Sequence, residues 1–287
     1  MNSLSIAIPT YNRAEKLKNT LNNLISQIKE NNLMSEIEII ISDNNSEDNT
    51  RGVVEDFQKK NPEISIKYNK NDKNYGWENF KIASMKAKNN YVWICSDDDI
   101  LDSKILKVIC DTINKNPKID YIHIPSIQSK VDFSGTITIK KLLEENCMCG
   151  ALISSNIFRR EAVKDIQTSF MTWFHLDLLF NLENIDSNCI VLPKMIDVKM
   201  PDNPKYWNND FKKKVDYNTE MIELTKMSKL PENIKSKVYK HYKGCLPKEI
   251  KGYRKNNDKD IDFQKKCAKR LEGVKGFLWE RLKLKYT

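Results

Sequence analysis

The sequence predicts an α/β fold in which a mostly parallel sheet is flanked by helices. In the first 115 residues, short apolar runs alternate with stretches whose apolar residues recur at helical spacing. Strand–helix–strand repeats of this kind place consecutive strands side by side in parallel, with the helices packed on the faces of the sheet. Each apolar run also ends in a polar loop, so the carboxyl ends of the predicted strands carry the residues available for binding.

The predicted elements follow one another with short connections. Apolar runs predict four strands in the first half, at residues 3–9, 37–41, 64–68 and 91–95. Helical spacing predicts helices at 17–28, 53–57, 77–85 and 105–113. Further strands are predicted at 120–124, 135–139, 151–156, 190–192 and 196–198, with a helix at 170–184.

A break rich in proline, asparagine and aspartate at 201–204 divides the chain into a body and a C-terminal extension. The body, residues 1–200, holds the predicted α/β elements. The extension, residues 201–287, is predicted to be mainly helical, with helices at 217–227, 233–243 and 263–283. It carries 23 lysine and arginine residues against 12 aspartate and glutamate residues, whereas the body is nearly neutral.

The basic extension has two interpretations. Clustered positive charge attracts an anionic surface, either a membrane or a nucleic acid. A lysine-rich surface can equally be a solvated helical face in a chain that is rich in lysine throughout. No nucleic-acid-binding motif is visible, so we expect no nucleic-acid partner. No apolar run approaches the ~20 residues that span a bilayer, and the first residues do not form a secretion signal, so we expect a cytoplasmic protein.

Three consecutive carboxylates, Asp97, Asp98 and Asp99, follow the fourth predicted strand. Like charges at the end of a buried strand repel one another unless a cation lies between them, and Mg²⁺ and Mn²⁺ prefer oxygen ligands shared with substrate phosphates. The alternative is a helix cap, because aspartate stabilises the first turn of a helix. Asp102 and Ser103 stand closer to the next predicted helix, so the triplet predicts a metal–phosphate site.

Polar loops follow the other three strands as well, at residues 9–13, 42–50 and 69–76. In an open α/β sheet, ligands bind at the carboxyl ends of the strands. We therefore expect these three loops and the acidic triplet to form one site.

These segments, in their order along the chain, resemble the family 2 glycosyltransferases, which have the GT-A fold and transfer sugars from nucleoside diphosphates. The matching elements are I-P-T-Y-N-R at 8–13, a D-x-x-S-x-D-x-T turn at 43–50, an N-x-G followed by an asparagine at 74–79, and the triplet. Residues 150–160 resemble the strand that borders the acceptor site. The resemblance covers residues 3–200 and implies that 1–115 bind the nucleotide sugar and that 116–200 face the acceptor.

The resemblance assigns roles to the residues that match its motifs. It implies that the nucleotide sugar is bound by Pro9, Thr10, Tyr11, Arg13, Asp43, Asn74, Gly76, Asn79 and Asp97. It makes Asp98 the main ligand of a Mn²⁺ or Mg²⁺ ion, with Asp99 assisting. The turn departs from the family pattern at Asn44 and Asn45, where an aspartate and a glycine are usual, and this leaves the preference for a base open.

The resemblance also implies an acidic general base near the start of the helix predicted at 170–184. Asp177 is the first candidate and His175 the second, and residues two apart on a helix point in different directions. Either can instead be non-catalytic, Asp177 as a solvated helix residue and His175 as a packed or capping one. A single displacement with a carboxylate base implies inversion at the anomeric carbon.

Three functions are compatible with these residues. The one we expect is an inverting glycosyltransferase that uses a nucleoside diphosphate sugar and acts on a glycan or a lipid-linked oligosaccharide in bacterial surface-polysaccharide assembly. Its basic extension would hold it on the inner face of the cytoplasmic membrane. The second function is a catalytically silent GT-A module that binds a glycan or a partner. The third is phosphoryl transfer on nucleic acid, which would need further carboxylates and a basic surface beside the triplet.

Overall fold

A computed structural model describes residues 3–198, 211–257 and 261–271 of the chain. They belong to two units, which divide between residues 199 and 200. The first unit is built on an eight-stranded sheet, and the described part of the second is helical.

The first half of the sheet consists of parallel strands in the order β3-β2-β1-β4. The strands are β1 (Leu4–Thr10), β2 (Ile37–Asp43), β3 (Ser65–Lys70) and β4 (Tyr91–Ile94). The helices between them are α1 (Ala14–Glu30), α2 (Thr50–Lys60) and α3 (Glu78–Met85). Every residue of β1, β2 and β4 is buried, as expected for strands of a parallel sheet that is covered on both faces.

The second half extends the sheet from β4 in the order β8-β6-β9-β7, with both antiparallel and parallel pairs. Its strands are β5 (Ile100–Leu101), β6 (Tyr121–His123), β7 (Gly135–Thr138), β8 (Asn156–Arg159), β9 (Asn188–Val191) and β10 (Ile196–Asp197). Its helices are α4 (Ile105–Lys115), α5 (Ile139–Glu145), α6 (Arg160–Val163) and α7 (Phe174–Phe180). Strands β5 and β10 pair with each other in a separate two-stranded sheet, so the strand predicted at 196–198 does not finish the main sheet.

The strand predicted at 151–156 is wrong. This segment forms two 3₁₀ turns, Cys149–Ala151 and Ile153–Ser155, and the strand begins only at Asn156. The cause is the Asn156 side chain, whose amide donates to the carbonyl oxygens of Gly150, Leu152 and Ile153 at 2.7–3.1 Å. Carbonyl groups that turn toward one side chain cannot also form a sheet ladder.

The helix predicted at 170–184 is also shorter than expected, because α7 covers only Phe174–Phe180. At its C-terminal end, the side chain of Asn181 donates to the backbone carbonyl of Asp177 at 2.9 Å. This side chain satisfies one of the carbonyl groups that a helix leaves unpaired at its end.

The described part of the second unit consists of α8 (Phe211–Met227), α9 (Glu232–Asn257) and α10 (Ile261–Leu271). Helix α8 packs against both of the others. Arg270 on α10 is only 12% exposed and forms ion pairs with Asp216 (2.6 Å) and Glu223 (3.1 Å) on α8. Most of the helix predicted at 263–283 lies outside the described residues. Among the described helices, none has the length and apolar content that crossing a membrane requires.

Gly150 allows the first 3₁₀ turn to approach α7 closely. A Cβ atom at this position would lie 2.8 Å from Asn156 Oδ1 and 2.9 Å from Leu179 Cδ2. We expect Gly150→Ala to lower the free energy of unfolding by about 1–3 kcal/mol, the usual cost of overpacking a core. Chemical denaturation measures this change.

The matched control is Gly244→Ala, since Gly244 lies in α9 and a Cβ there would meet nothing within 4 Å. This variant should be neutral or more stable by up to about 1 kcal/mol, the helix propensity difference between glycine and alanine. Equal effects of the two substitutions would contradict the packing argument.

Candidate active site

The carboxyl ends of β1, β2 and β4 lie next to one another, because β1 pairs in parallel with both of the other strands. Thr10 ends β1 directly opposite Asp43 at the end of β2. The acidic triplet follows β4, on the other side of β1. The polar loops predicted to form one site therefore do meet at one edge of the sheet.

Asp97 is the most enclosed carboxylate of the triplet, with 2% of its surface exposed. Its Oδ2 accepts a hydrogen bond from the Thr10 hydroxyl (2.7 Å), and its Oδ1 accepts one from Arg13 Nη1 (2.8 Å). Burial raises the pKa of Asp97 more than the Arg13 charge and these hydrogen bonds lower it. Two of the predicted nucleotide-binding residues, Thr10 and Arg13, thus hold a third one in place.

Asp98 is partly open to solvent, with 24% of its side chain exposed. Its Oδ1 accepts a hydrogen bond from the Ser96 hydroxyl (2.6 Å), and its Oδ2 lies 3.1 Å from both Lys16 Nζ and Arg13 Nη1. Burial raises the pKa of Asp98, but the Ser96 hydrogen bond and the charges of Arg13 and Lys16 outweigh burial, so the pKa lies below its ordinary value. Asp98 is therefore ionised at neutral pH.

Asp99 is held by the second half of the sheet unit. Its Oδ2 accepts a hydrogen bond from the Ser154 hydroxyl (2.6 Å), and the same hydroxyl oxygen accepts one from the Ser96 backbone N–H (2.8 Å). The pKa of Asp99 is raised to about 6, mainly by burial. The Ser154 hydrogen bond lowers this pKa, whereas the charges of Asp98 and Asp97 raise it. Ser154 thus connects the acidic triplet to the segment that the sequence places on the acceptor side.

The described residues contain no group of three histidine, cysteine, aspartate or glutamate side chains that could hold a metal ion. The three carboxylates are instead occupied by protein partners, Asp97 and Asp98 by a shared Arg13 and Asp99 by Ser154. Mg²⁺ nevertheless often binds through only one or two carboxylates and completes its shell with water and substrate phosphates. Asp98, which is ionised and partly exposed, fits such a site, and Asp99 follows it directly in the chain.

Asp43 closes the turn after β2. Its Oδ1 accepts a hydrogen bond from the Ser46 N–H (2.8 Å), and its Oδ2 accepts one from the Tyr68 hydroxyl (2.5 Å). Burial, followed by this hydrogen bond, raises the pKa of Tyr68 above its usual range. Asn45, where the family has a glycine, adopts the left-handed conformation with φ 67°, which asparagine tolerates better than most residues. The departure at Asn45 therefore preserves the turn.

Asn44 joins this turn to the loop after β3. Its amide nitrogen donates to Asn74 Oδ1 (2.7 Å) and to the Gly76 carbonyl (3.2 Å), while its Oδ1 accepts from the Tyr75 N–H (2.8 Å). Gly76 has φ 58°, a conformation that favours glycine. Asn44 thus holds both Asn74 and Gly76, two of the predicted nucleotide-binding residues. From the sequence, Asn44 was recognised only as a departure from the family pattern.

Asn79 anchors the start of α3 to the end of β2. Its Nδ2 donates to the Ser42 carbonyl (2.8 Å), and its Oδ1 accepts from the Ser42 hydroxyl (2.7 Å) and from Asn71 Nδ2 (2.8 Å). Asn79 is 3% exposed, and it holds the loop after β3 from the interior through its hydrogen bond with Asn71. Tyr11, in contrast, is 41% exposed and offers an accessible ring beside the buried Pro9 and Thr10.

Asp177 lies within the short helix α7 and is 3% exposed. Its Oδ2 accepts hydrogen bonds from the backbone N–H groups of Ser169 (2.8 Å) and Phe170 (3.2 Å), and its Oδ1 accepts one from Asn181 Nδ2 (2.8 Å). Burial raises its pKa more than these hydrogen bonds lower it. Oδ2 therefore holds the segment before α7 and Oδ1 holds the residue that follows this helix, and a base role requires one of these oxygens to be released.

His175 is 4% exposed, and its Nε2 lies 3.1 Å from the carbonyl oxygen of Ala151. Because a carbonyl only accepts, this contact places the proton on Nε2 and leaves Nδ1 unprotonated in the neutral ring. Burial lowers the pKa of His175 to about 4. The ring is therefore neutral at physiological pH, but a pKa this far below physiological pH makes it a weak proton acceptor.

Lys16 and Ser154 contact the acidic triplet, but they were not predicted from the sequence as site residues. Lys16 stands three residues after Arg13, at the start of α1, and the i, i+3 spacing of two basic residues beside an acidic loop was an available signal. Ser154 offered no such signal, because only the antiparallel pairing of β4 with β8 brings its segment to the triplet.

The mixed sheet with its flanking helices is the GT-A glycosyltransferase fold, as the sequence predicted. The chain resembles residues 1–349 of S. aureus TarS, solved in complex with UDP-GlcNAc, with a TM-score of 0.64 and 16% identity over 94% of this chain and 79% of that one. It also resembles the mannosyltransferase PcManGT from Pyrobaculum calidifontis, solved with GDP-Man and Mn²⁺. That likeness has a TM-score of 0.63 and 14% identity over 88% of this chain and 74% of that one.

The chain belongs to glycosyl transferase family 2, whose family model matches residues 5–175. It is 38% identical over 107 residues to the abequosyltransferase RfbV of Salmonella typhimurium. The matched residues make up 37% of this chain and 31% of that protein. It is 31% identical over 124 residues to the GalNAc(5)-diNAcBac-PP-undecaprenol beta-1,3-glucosyltransferase of Campylobacter jejuni, over 43% of this chain and 37% of that protein. The matched part thus spans about a third of the length of these curated relatives.

Asp99 makes the stability of the metal-free protein depend on pH. Its pKa of about 6 lies above the ordinary value of an aspartate, so between about pH 4 and pH 6 the folded state holds this proton more tightly than the unfolded state does. The free energy of unfolding should therefore fall as the pH rises through this window. Relative to wild type, Asp99→Asn should gain about 2–3 kcal/mol between pH 4 and pH 7.

Denaturant titrations of both proteins at several pH values measure the difference. The asparagine can still accept the Ser154 hydrogen bond, so the variant removes the titration with little change in packing. A difference that is constant across this pH range would contradict the raised pKa of Asp99.

Proposed function

We propose that the protein is a glycosyltransferase that moves a sugar from a nucleoside diphosphate donor to a hydroxyl group of a glycan or lipid-linked acceptor, with inversion. The observation that carries this proposal is the placement of Asp43, Thr10 and the pair Asp97 and Asp98 at the carboxyl ends of the adjacent parallel strands β2, β1 and β4. Ligands bind at this edge in open α/β sheets. Membership of glycosyl transferase family 2 supports the same reaction class.

On the donor side, the exposed ring of Tyr11 is available to stack on the base, next to the turn that Asp43 closes. Asn74 and Gly76, held by Asn44, border the same turn. Arg13 contacts both Asp97 and Asp98, and the ribose and the diphosphate would follow the base toward these residues. The neighbouring folds were solved with UDP-GlcNAc and with GDP-Man, so both bases are candidates.

Asp98, with Asp99 assisting, would hold a Mn²⁺ or Mg²⁺ ion. When bound, such an ion stabilises the negative charge that gathers on the departing nucleoside diphosphate. Asp98 suits this task because its carboxylate is ionised and partly exposed. Arg13, with 45% of its side chain exposed, supplies further positive charge beside the same carboxylate.

The acceptor hydroxyl must lose its proton as it attacks, and Asp177 and His175 remain our two candidates for the base. Inversion follows from a single displacement. Because the two relatives are named as transferases of sugars, one of them acting on a diphosphate-linked undecaprenol, we propose a lipid-linked glycan as the acceptor class and bacterial surface-polysaccharide assembly as the setting.

The nucleotide site is tested by thermal stabilisation with UDP, GDP, CDP and dTDP, each with and without Mn²⁺. We expect one nucleotide to raise the melting temperature only with Mn²⁺, and Asp98→Ala to abolish this shift because the metal loses its main ligand. Asp111→Ala is the matched control, since Asp111 lies on α4 and pairs with Lys107 at the surface. An Asp98→Ala variant that keeps the metal-dependent shift would remove Asp98 from the metal site.

The base is tested by Asp177→Asn and His175→Ala. If Asp177 is the base, Asp177→Asn should retain the nucleotide-induced shift and lose turnover by about 10²–10⁴-fold, the range for a general base. The asparagine oxygen can still accept from Ser169 and Phe170, so the segment before α7 stays in place. The same loss in His175→Ala, with Asp177→Asn active, would transfer the role to His175.

The hydrogen bonds of Asp177 favour a second candidate function, a catalytically silent GT-A module. Such a module would bind a nucleotide or glycan without turning it over. It predicts a normal nucleotide-induced shift in wild type together with no release of nucleoside diphosphate from any nucleotide sugar, even when glycan acceptors are present.

We also propose that the second unit holds the protein on the inner face of the cytoplasmic membrane. Exposed lysines follow one another along α9, at Lys237, Lys240 and Lys243, and juxtamembrane lysines contribute about 1 kcal/mol each to binding at an anionic surface. The sequence at 276–285 also carries apolar and cationic residues suited to an anionic membrane surface, and it lies outside the described residues.

Changing these three lysines of α9 to glutamine should weaken binding to vesicles containing phosphatidylglycerol about 100-fold or less. The control changes Lys59, Lys60 and Lys107, three exposed lysines of the first unit, and removes the same charge. Co-sedimentation measures both. Equal losses in the two triple variants would contradict a specific role for α9.

A further inference from the structure

Lys16 occupies the exposed side of Asp98 together with Arg13. Its Nζ lies 3.1 Å from Asp98 Oδ2, the same oxygen that Arg13 Nη1 approaches to 3.1 Å. The Lys16 side chain is 40% exposed. Two protein cations therefore already contact the carboxylate that is expected to bind a divalent cation.

The two basic residues differ in what they can release. Arg13 also pairs with Asp97, which is 2% exposed, and leaving a buried carboxylate without its partner is costly. Among the residues that the structure describes, Lys16 forms an ion pair with Asp98 alone. A lysine ammonium on its flexible four-carbon stem can move more readily than a guanidinium that bridges two carboxylates. Lys16 is thus the cation that a metal ion can displace.

A displaced Lys16 remains beside the position of the donor diphosphate. The residue lies in the first turn of α1, directly after the loop that carries Tyr11 and Arg13. A nucleoside diphosphate bound through a metal ion at Asp98 brings phosphate oxygens to this point, and an ammonium group forms charge-assisted hydrogen bonds with them.

We propose that Lys16 is a positioning residue that covers the Asp98 carboxylate in the free protein and transfers to the donor diphosphate when a divalent cation takes its place. This inference rests on the proposed donor site. It makes metal binding weak before the nucleotide arrives and tight afterwards, because Lys16 competes with the metal ion in the first state and binds the phosphate in the second.

Two affinities test this role, and they should move in opposite directions. In Lys16→Met without nucleotide, Mn²⁺ should bind about two- to fivefold more tightly, since an exposed ion pair that opposed the metal is gone. With saturating Mn²⁺, UDP or GDP should bind about tenfold more weakly, since a hydrogen bond to a charged phosphate is lost. Electron paramagnetic resonance of free Mn²⁺ measures the first affinity, and calorimetry measures the second.

Two further variants serve as controls. Lys18→Met removes the same charge from the same helix, but Lys18 is near Glu15 (3.9 Å) and not Asp98. Both affinities should therefore stay within about twofold of wild type, because salt screens the effect of an exposed charge that does not contact the site. Lys16→Arg keeps the charge, so its Mn²⁺ affinity in the absence of nucleotide should remain that of wild type.

The inference is overturned if Lys16→Met and Lys18→Met bind Mn²⁺ alike, or if Lys16→Met changes both affinities in the same direction. Either result leaves the donor site standing as long as wild type binds a nucleotide with Mn²⁺. A wild-type protein that binds none of UDP, GDP, CDP and dTDP would instead overturn the proposed function itself.

Discussion

Three carboxylates follow one another directly after a buried strand, and their mutual repulsion has to be offset for the chain to fold this way. The structure offsets it with positive charge and hydroxyl donors around the triplet. Asp97 contacts Thr10 and Arg13, Asp98 contacts Ser96, Lys16 and the same Arg13, and Asp99 contacts Ser154. The contacts that offset this repulsion therefore join the β1–α1 loop and the segment before β8 to the acidic triplet after β4.

This division of partners explains why the three carboxylates differ in their protonation. Asp98 is partly open to solvent and has two basic neighbours, which keep its pKa low. Asp99 is more enclosed, and the hydrogen bond from the Ser154 hydroxyl does not offset burial, which raises its pKa to about 6. Identical side chains in consecutive positions thus acquire different properties, and Asp98, which contacts both basic residues and is partly exposed, is the one we propose for a cation.

The link through Ser154 continues toward the second half of the unit. The segment that carries Ser154 also contains Ala151, whose carbonyl contacts His175 on α7. Asp177, two residues later, holds the backbone at Ser169 and Phe170. The acidic triplet and the candidate bases are therefore connected by one short run of hydrogen-bonded backbone, whose close packing on α7 requires the glycine at position 150.

The sequence was sufficient for the parallel half of the sheet, because strands buried on both faces are continuous apolar runs and their polar loops must then meet at one edge. It failed at 151–156, where an apolar segment indicated a strand. The decisive contact there is made by the Asn156 amide, which turns three carbonyl groups away from a sheet ladder. It also failed to find Lys16 and Ser154, since their roles depend on which elements lie side by side.

Asn44 shows how a departure from a family pattern becomes intelligible only with its neighbours. An aspartate at this position could accept from the Tyr75 N–H, but its oxygens would face Asn74 Oδ1 and the Gly76 carbonyl, which are acceptors as well. The amide can donate to both and accept from the third group. Asparagine at position 44 is thus matched to asparagine at position 74. The loop at 69–76, which borders the proposed nucleotide site, depends on this pair for its position.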